Sequence, residues 1–449
     1  TIAAALLETK ELRGIIGSIN LSGSAQVIPA TPSPKFIDSA ITFRTASPAL
    51  GDKARNLIEA TSFTQTSSSL EAETHYDEKY AAPHMLTRDE LTEQIQEYVD
   101  TFDLDVINSA TVQSTNYDKL TNEWTVKFRT SAGQRTAVSK HLVQATGVSS
   151  QKPFIPDIAD GHLYKGISMH SANYKNAAIL KARGIESALI IGCANTAFDL
   201  LEDCHAAGIQ TTMVVRSPTY IVPVDYVCDS RALGAYNIGV EAGDRMAMTL
   251  PTCIDGQLGR DLFAQFASHE PDRYAPLSAA GFPVLDSRNP ECALMHNLVE
   301  RAGGHYVDVD TTDLITQGAV GVKADVEPCA YTETRLCFSD DSTADADAVV
   351  WFTGFADKDV NVLGPRAIAA RLDPTWMLDN EGEIRGMWKR HLHVDNYWVV
   401  GGHTQHLWWH SRTVALQIKA ALEGLLPPAY RDTPSPQVSG QTASGDGFI

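Results

Sequence analysis

The 449-residue chain lacks a surplus of positive charge: 36 Lys and Arg face 55 Asp and Glu, for a formal net charge of −19. That deficit argues against nucleic-acid binding, which needs a basic stripe to displace counterions from phosphate. It argues equally against docking on anionic lipid. No apolar run reaches the roughly 18 residues of a membrane-spanning helix, so no membrane span is expected. The opening Thr1-Ile-Ala-Ala-Ala-Leu-Leu7 lacks the charged-then-apolar pattern of a signal peptide. The chain also does not begin with Met, which fits a processed chain or a fragment. The cysteines Cys193, Cys204, Cys228, Cys253, Cys292, Cys329 and Cys337 stand singly, with no C-x-x-C pair. This pattern excludes a zinc-ribbon or thioredoxin motif. It fits a reducing compartment, the cytoplasm, better than a disulfide framework. Neither G-x-S-x-G nor H-E-x-x-H occurs, and no metal site is expected.

What is present can fold. Apolar residues make up 43% and charged residues 20%, enough to bury a core and too apolar for disorder. The length predicts two or three domains. Residues 1–82 hold loop-like stretches, Pro29-Ala-Thr-Pro-Ser-Pro34 and Thr64-Gln-Thr-Ser-Ser-Ser69, and carry no recognisable chemistry. Thr87-Arg-Asp-Glu90 has the form of a capping box, followed by helically spaced Leu91, Ile95, Tyr98, Val99 and Phe102. Leu104–Ile107, Ala110–Val112 and Trp124–Phe128 alternate as strands, and Lys140–Gly147 reads as a strand ending in glycine. Pro153 and Pro156 then mark a crossover. A last helix is expected from about Ser411 to Leu425, stopped by Pro427-Pro428.

One β-α-β unit is plain. Ala188–Ile191 is a short apolar run of the kind buried on both faces of a parallel sheet. Thr196–Ala207 reads as a helix ended by Gly208, and Thr211–Val215 as the next strand. The turn between them, Gly192-Cys193-Ala194-Asn195-Thr196-Ala197, has the place of a dinucleotide fingerprint in the form G-x-A-x-x-A. A glycine permits the sharp turn, a small residue lets backbone approach a pyrophosphate, and the helix N-terminus supplies N–H groups to phosphate. A ligand-free packing turn would carry the same residues. Arg216 favours the nucleotide reading: the acidic residue that holds an NAD ribose is replaced by a cation suited to a 2′-phosphate. Ser217 could add a hydroxyl donor. The plain alternative for Arg216 is a solvated surface charge.

Just upstream lies Tyr164-Lys-Gly166-Ile-Ser-Met-His170-Ser-Ala-Asn-Tyr174-Lys175. It resembles the F-x-G-x-x-x-H-x-x-x-[YF]-[KR] signature of flavin-containing and Baeyer–Villiger monooxygenases, with Tyr164 in place of Phe. Gly147 and Gly354, closing Ala145-Thr-Gly147 and Phe352-Thr-Gly354, resemble that family's strand ends at its domain crossovers. Gly401-Gly402 and Ala415-Leu-Gln-Ile-Lys-Ala420 resemble its C-terminal region, so the resemblance spans roughly residues 84–428. It implies an α/β fold of two interleaved Rossmann-like dinucleotide-binding domains, the NADP domain inserted in an incomplete FAD-type domain. The expected division is 1–82 unassigned, 83–150 FAD-type, 151–340 NADP-binding, 341–430 the return of the FAD-type domain, and 431–449 a disordered tail. It also implies NADP and FAD as cofactors, the fingerprint residues with Arg216 and Ser217 on NADP, and oxygen insertion into a small organic metabolite.

The family opens with G-x-G-x-x-G for the FAD pyrophosphate, and no such motif occurs before residue 187. Two alternatives therefore stay open: a flavin-free relative performing a non-redox step such as cyclisation or isomerisation, or an inactive fragment. His403, His406, Trp408, Trp409 and His410 form one further cluster. It reads first as aromatic packing with exposed histidines at the start of the last helix, and second as a wall facing cofactor or substrate.

Overall fold

The computed structural model describes residues 65–66, 71–72, 88–101, 104–147, 152–301, 303–356, 368, 371–372, 374–402 and 404–429. The expectations for the 1–82 segment, the 431–449 tail, the capping residue Thr87 and His403 lie outside the described residues, the pairs 65–66 and 71–72 apart.

Five strands form the central sheet: β1 (Ile167–His170), β2 (Ser187–Ile191), β3 (Gln210–Val215), β4 (Gly321–Ala324) and β5 (Ala348–Trp351). Their order is β4-β3-β2-β5-β1 and every neighbouring pair is parallel. Helix α1 (Asn195–Ala206) connects β2 to β3. The continuous apolar runs follow from covering both faces, because successive side chains alternate across a strand. Ala188, Ile190, Ala348 and Val350 pack with Phe198 and Leu201 of α1. Leu189, Ile191, Val349 and Trp351 pack on the opposite face. There they meet Tyr331, Leu336 and Phe338 of an antiparallel meander, Pro328–Tyr331, Arg335–Phe338 and Thr343–Asp345. Burying a side chain as large as Trp351 contributes about 2–3 kcal/mol.

This sheet corrects one boundary. The expected division at residue 340 assigned Ala348–Trp351 to the flavin side. Instead β5 lies between β1 and β2, paired with both. Its four residues are all buried, and an all-apolar run satisfies both faces only in the interior of such a sheet.

Between β3 and β4 sits an insertion that periodicity did not reveal. Thr219–Pro223, Val284–Leu285 and His305–Asp308 make a second parallel sheet, with Thr219–Pro223 in the centre. Helix α2 (Thr252–His269) covers it through Phe263 and Ala267, which join Tyr220, Val222 and Val307 in one core.

A separate core gathers the chain on either side of these elements. It holds an antiparallel sheet, Thr111–Asp118, Glu123–Thr130 and Gly133–Ser139, and a parallel pair, Leu142–Gln144 with Tyr397–Val399. Helix α3 (Thr404–Leu422) joins them, burying Val414 and Ile418 against Trp398 and Val399. The helix therefore starts seven residues before the expected Ser411, and His406 and His410 lie inside it. Leu104–Ile107 is no strand; Val106 and Ile107 are 39% and 44% exposed, so no sheet face takes them up. The two segments linking the cores run antiparallel side by side. Phe154 N–H donates to Gly354 O at 3.1 Å and Ala356 N–H to Lys152 O at 2.9 Å.

Candidate functional site

The fingerprint turn lies at the C-terminal edge of the central sheet, where open α/β sheets bind ligands. Gly192 has φ of +124°, and a Cβ there would stand 2.7 Å from Phe352 O. Glycine is required on both counts, since L side chains rarely adopt that conformation and the neighbouring strand leaves no room. Ala194 precedes α1 in extended conformation, and no side chain caps the helix. Ala197 and Phe198 N–H donate to Ala194 O at 2.8 and 3.3 Å, so the Asn195 and Thr196 N–H groups are those left with no bond inside the helix.

The side chains of the turn are largely spent on the insertion. Cys193 Sγ lies 2.8 Å from Thr219 Oγ1, and burial pushes the thiol up to about 11, so it stays protonated. Asn195 Oδ1 accepts the Val307 N–H at 2.8 Å, and its Nδ2 lies 3.4 Å from His305 Nε2. Phe198 stacks on Tyr306 with centroids 3.8 Å apart. One turn into α1, burial and then Glu202 push the Asp199 carboxyl up to about 7, which weakens its opposition to an anion nearby.

Arg216 follows the last residue of β3, as the topology requires of a ribose-reading side chain. Its Nη1 is 3.3 Å from Glu327 Oε1, an acidic neighbour from the segment leaving β4. Ser217 is exposed beside it.

The 164–175 signature works as a set of staples. Tyr164 donates its hydroxyl to Ala346 O at 2.7 Å. A Cβ on Gly166 would stand 2.6 Å from Asp347 O, so the tight entry into β1 needs glycine. His170 is 2% exposed. Its Nδ1 accepts the Ala172 N–H at 3.1 Å, so Nε2 carries the proton and donates to Gly354 O at 2.9 Å. Burial lowers its pKa and the Gly354 bond opposes that, leaving a neutral imidazole. Tyr174 donates to Asp203 Oδ2 at 2.5 Å, and the same oxygen accepts the Ala177 N–H at 2.7 Å. Lys175 is exposed. The signature thus ties β1 to the crossover and to α1.

Gly192–Thr196 and Arg216 come together at one sheet edge. Gly147 does not join them. Gly354 lies in the crossover. Gly147 stands at the end of the other parallel pair, where a Cβ on Gly401 would lie 3.1 Å from Gly147 O. Beside Gly402, Trp388 stacks on His410 with centroids 4.2 Å apart and lies 5.5 Å from His406. His406 is 6% exposed, which corrects the expectation of exposed histidines, and burial lowers His410 to about 4. Trp388 Nε1 is buried without a hydrogen-bond partner among the described residues. Among those residues no group of three or more His, Cys, Asp or Glu is arranged to hold a metal ion. None of their helices is long and apolar enough to cross a membrane.

Sequence reasoning missed Asp203, Glu327 and Trp388. Asp203 and Glu327 act over 29 and 111 residues of separation, beyond any local pattern.

No protein-family model matches the chain. Among curated proteins it is 24% identical over 283 residues to the probable indole-3-pyruvate monooxygenase YUCCA10 of Arabidopsis thaliana, covering 63% of this chain and 66% of that protein. It is 24% identical over 254 residues to the indole-3-pyruvate monooxygenase YUCCA1 of Oryza sativa subsp. japonica, covering 55% and 53%. It is 27% identical over 146 residues to the probable indole-3-pyruvate monooxygenase YUCCA3 of Arabidopsis thaliana, covering 31% and 32%. The matched region is thus less than two thirds of each relative's length. Among solved structures, a cyclohexanone-bound cyclohexanone monooxygenase superposes with a TM-score of 0.50 at 16% identity, covering 81% of this chain and 80% of that one. The α/β fold with parallel sheets is shared with that enzyme.

Proposed function

We propose, from the chain's kinship with flavin-containing monooxygenases, that it is an NADPH-dependent, flavin monooxygenase-type oxidoreductase inserting oxygen into a small organic molecule. The observation that carries this reading is the fingerprint turn, uncapped at the start of α1 and followed at the end of β3 by Arg216. The same negative charge that disfavours polyanions leaves a small molecule as the expected partner. The free state of all seven cysteines supports placement in the cytoplasm.

The residues fit NADP at its pyrophosphate end. The close approach that a Cβ at Gly192 would fill and the open helix start suit a phosphate, and Arg216 would take the ribose 2′-phosphate. Cys193 and Asn195 hold the turn against the insertion rather than reaching for the nucleotide. For FAD the described residues fit the ring end only. The orphaned Trp388 Nε1 beside Gly402 would donate to an acceptor on a bound group. No second fingerprint turn for the FAD pyrophosphate occurs among the described residues. When bound, FAD supplies the redox and oxygen chemistry. The chain's own residues bind, orient and exclude water. His170, neutral and fixed in one tautomer, holds the crossover at Gly354 and so sets where β1 meets the linking ribbon.

A second reading is a non-redox step in the same fold. The visible spectrum of the purified protein with and without added FAD, followed by NADPH consumption under air and under nitrogen, separates the two. Bound flavin with oxygen-dependent NADPH oxidation is the expected result. Absence of flavin, with turnover of a metabolite that needs no NADPH, overturns the monooxygenase reading.

A further inference from the structure

The cation assigned to the 2′-phosphate is already engaged. Arg216 Nη1 lies 3.3 Å from Glu327 Oε1, with the Glu327 side chain 58% exposed. Glu327 is not a loose surface charge. Its backbone N–H donates to Ser339 Oγ at 3.0 Å, while its carbonyl accepts the Ser339 N–H at 2.9 Å. The segment that carries it is anchored to β3 as well, through the Asp325 N–H on Val215 O at 2.8 Å. The nearby cation on β4, Lys323, is itself paired to Asp340 at 3.2 Å. The end of β3 therefore presents its positive charge beside the Glu327 carboxylate, carried on an anchored backbone.

From this geometry we infer that Glu327 is a specificity-determining residue that lowers the site's preference for NADP over NAD by competing for Arg216. The inference rests on the reading of Arg216 as the 2′-phosphate ligand. A 2′-phosphate must displace the Glu327 carboxylate from the guanidinium and then remain near it, like charge beside like charge. An unphosphorylated ribose does neither, and its neutral hydroxyl leaves the Arg216–Glu327 pair intact. The pair is solvent-exposed, so the penalty on NADP is modest, corresponding to about fivefold in affinity.

The experiment is a titration of the purified full chain with NADP⁺ and, separately, NAD⁺, read by calorimetry at one fixed salt concentration. The proteins are the wild type, Glu327→Gln, Arg216→Ala and the double variant. Glu327→Gln is expected to tighten NADP⁺ about fivefold and to leave NAD⁺ within about twofold. In the Arg216→Ala background the gain should vanish, because the competition acts through that guanidinium. Glu327 is exposed, so its substitution should leave the thermal unfolding midpoint unchanged, and this measurement guards against a folding artefact. Unchanged NADP⁺ affinity in Glu327→Gln, while Arg216→Ala weakens NADP⁺ selectively, overturns the role of Glu327 alone. A gain that persists without Arg216 overturns the competition. Equal weakening of both nucleotides by Arg216→Ala, or no binding of either to the wild type, overturns the 2′-phosphate reading and this inference with it.

Discussion

Acidification should loosen the nucleotide-type unit through His305. This residue is 4% exposed, facing Asn195 at the start of α1. Burial lowers its pKa from 6.5 to about 4, with a hydrogen bond at the Gly303 backbone pulling the other way. A cation there would also face the positive end of the α1 dipole. In the unfolded chain the imidazole takes up a proton near pH 6.5; in the folded chain it resists until about pH 4. The unfolded state thus binds more protons between those values, and stability falls as pH drops through that window. The loss from this one group amounts to about 2 kcal/mol at pH 5 and about 3 kcal/mol below pH 4. The assay is urea denaturation of wild type and His305→Gln at pH 7.5, 6.5, 5.5 and 5.0. Other ionisations are common to both proteins and cancel, as does any constant cost of the substitution. The wild type should lose about 2 kcal/mol more than the variant between the first and last pH. Parallel stability curves would refute the assignment of a proton-refusing histidine at this position.

Three further outcomes are expected. Gly192→Ala places a Cβ 2.7 Å from Phe352 O at a φ of +124°, and should destabilise by about 2–4 kcal/mol in a thermal or urea melt. Asp203→Ala leaves the Tyr174 hydroxyl and the Ala177 N–H without their shared acceptor and should cost about 2–3 kcal/mol, whereas Tyr174→Phe, removing one of the two bonds, should cost about 1 kcal/mol by the same measurement. Arg216→Ala should raise the NADPH requirement about tenfold or more and leave the NADH requirement nearly unchanged in steady-state oxidation assays.

The β2-α1-β3 unit was legible because its information is local. A both-faces-buried strand reads as an apolar run, a tight turn reads as glycine, and the next strand ends one residue before Arg216. The signature was legible as a pattern, but its physical role was not. His170, Tyr164 and Tyr174 are fixed by Gly354, Ala346 and Asp203, partners 184, 182 and 29 residues away. The insertion escaped notice because its strands are two to five residues long and separated by helices, so no period repeats. The start of α3 was placed late because aromatic and histidine residues weaken helix propensity. Tertiary packing of Trp388 on His410 overrides that preference. The division at residue 340 failed for a related reason: a buried strand's sequence shows that it is central, and not to which sheet it belongs.

The side-by-side linking segments also determine how the protein carries load. Tension applied to the chain outside them pulls Lys152 and Ala356 apart at the same end of a short antiparallel ribbon. Such a ribbon opens like a zipper, one rung at a time: first the Ala356–Lys152 bond, then Phe154–Gly354. The His170–Gly354 bond stands behind them as the last clasp. The Cys253 N–H on Gly382 O at 2.9 Å, between the start of α2 and the second core, gives load a second path beside the ribbon.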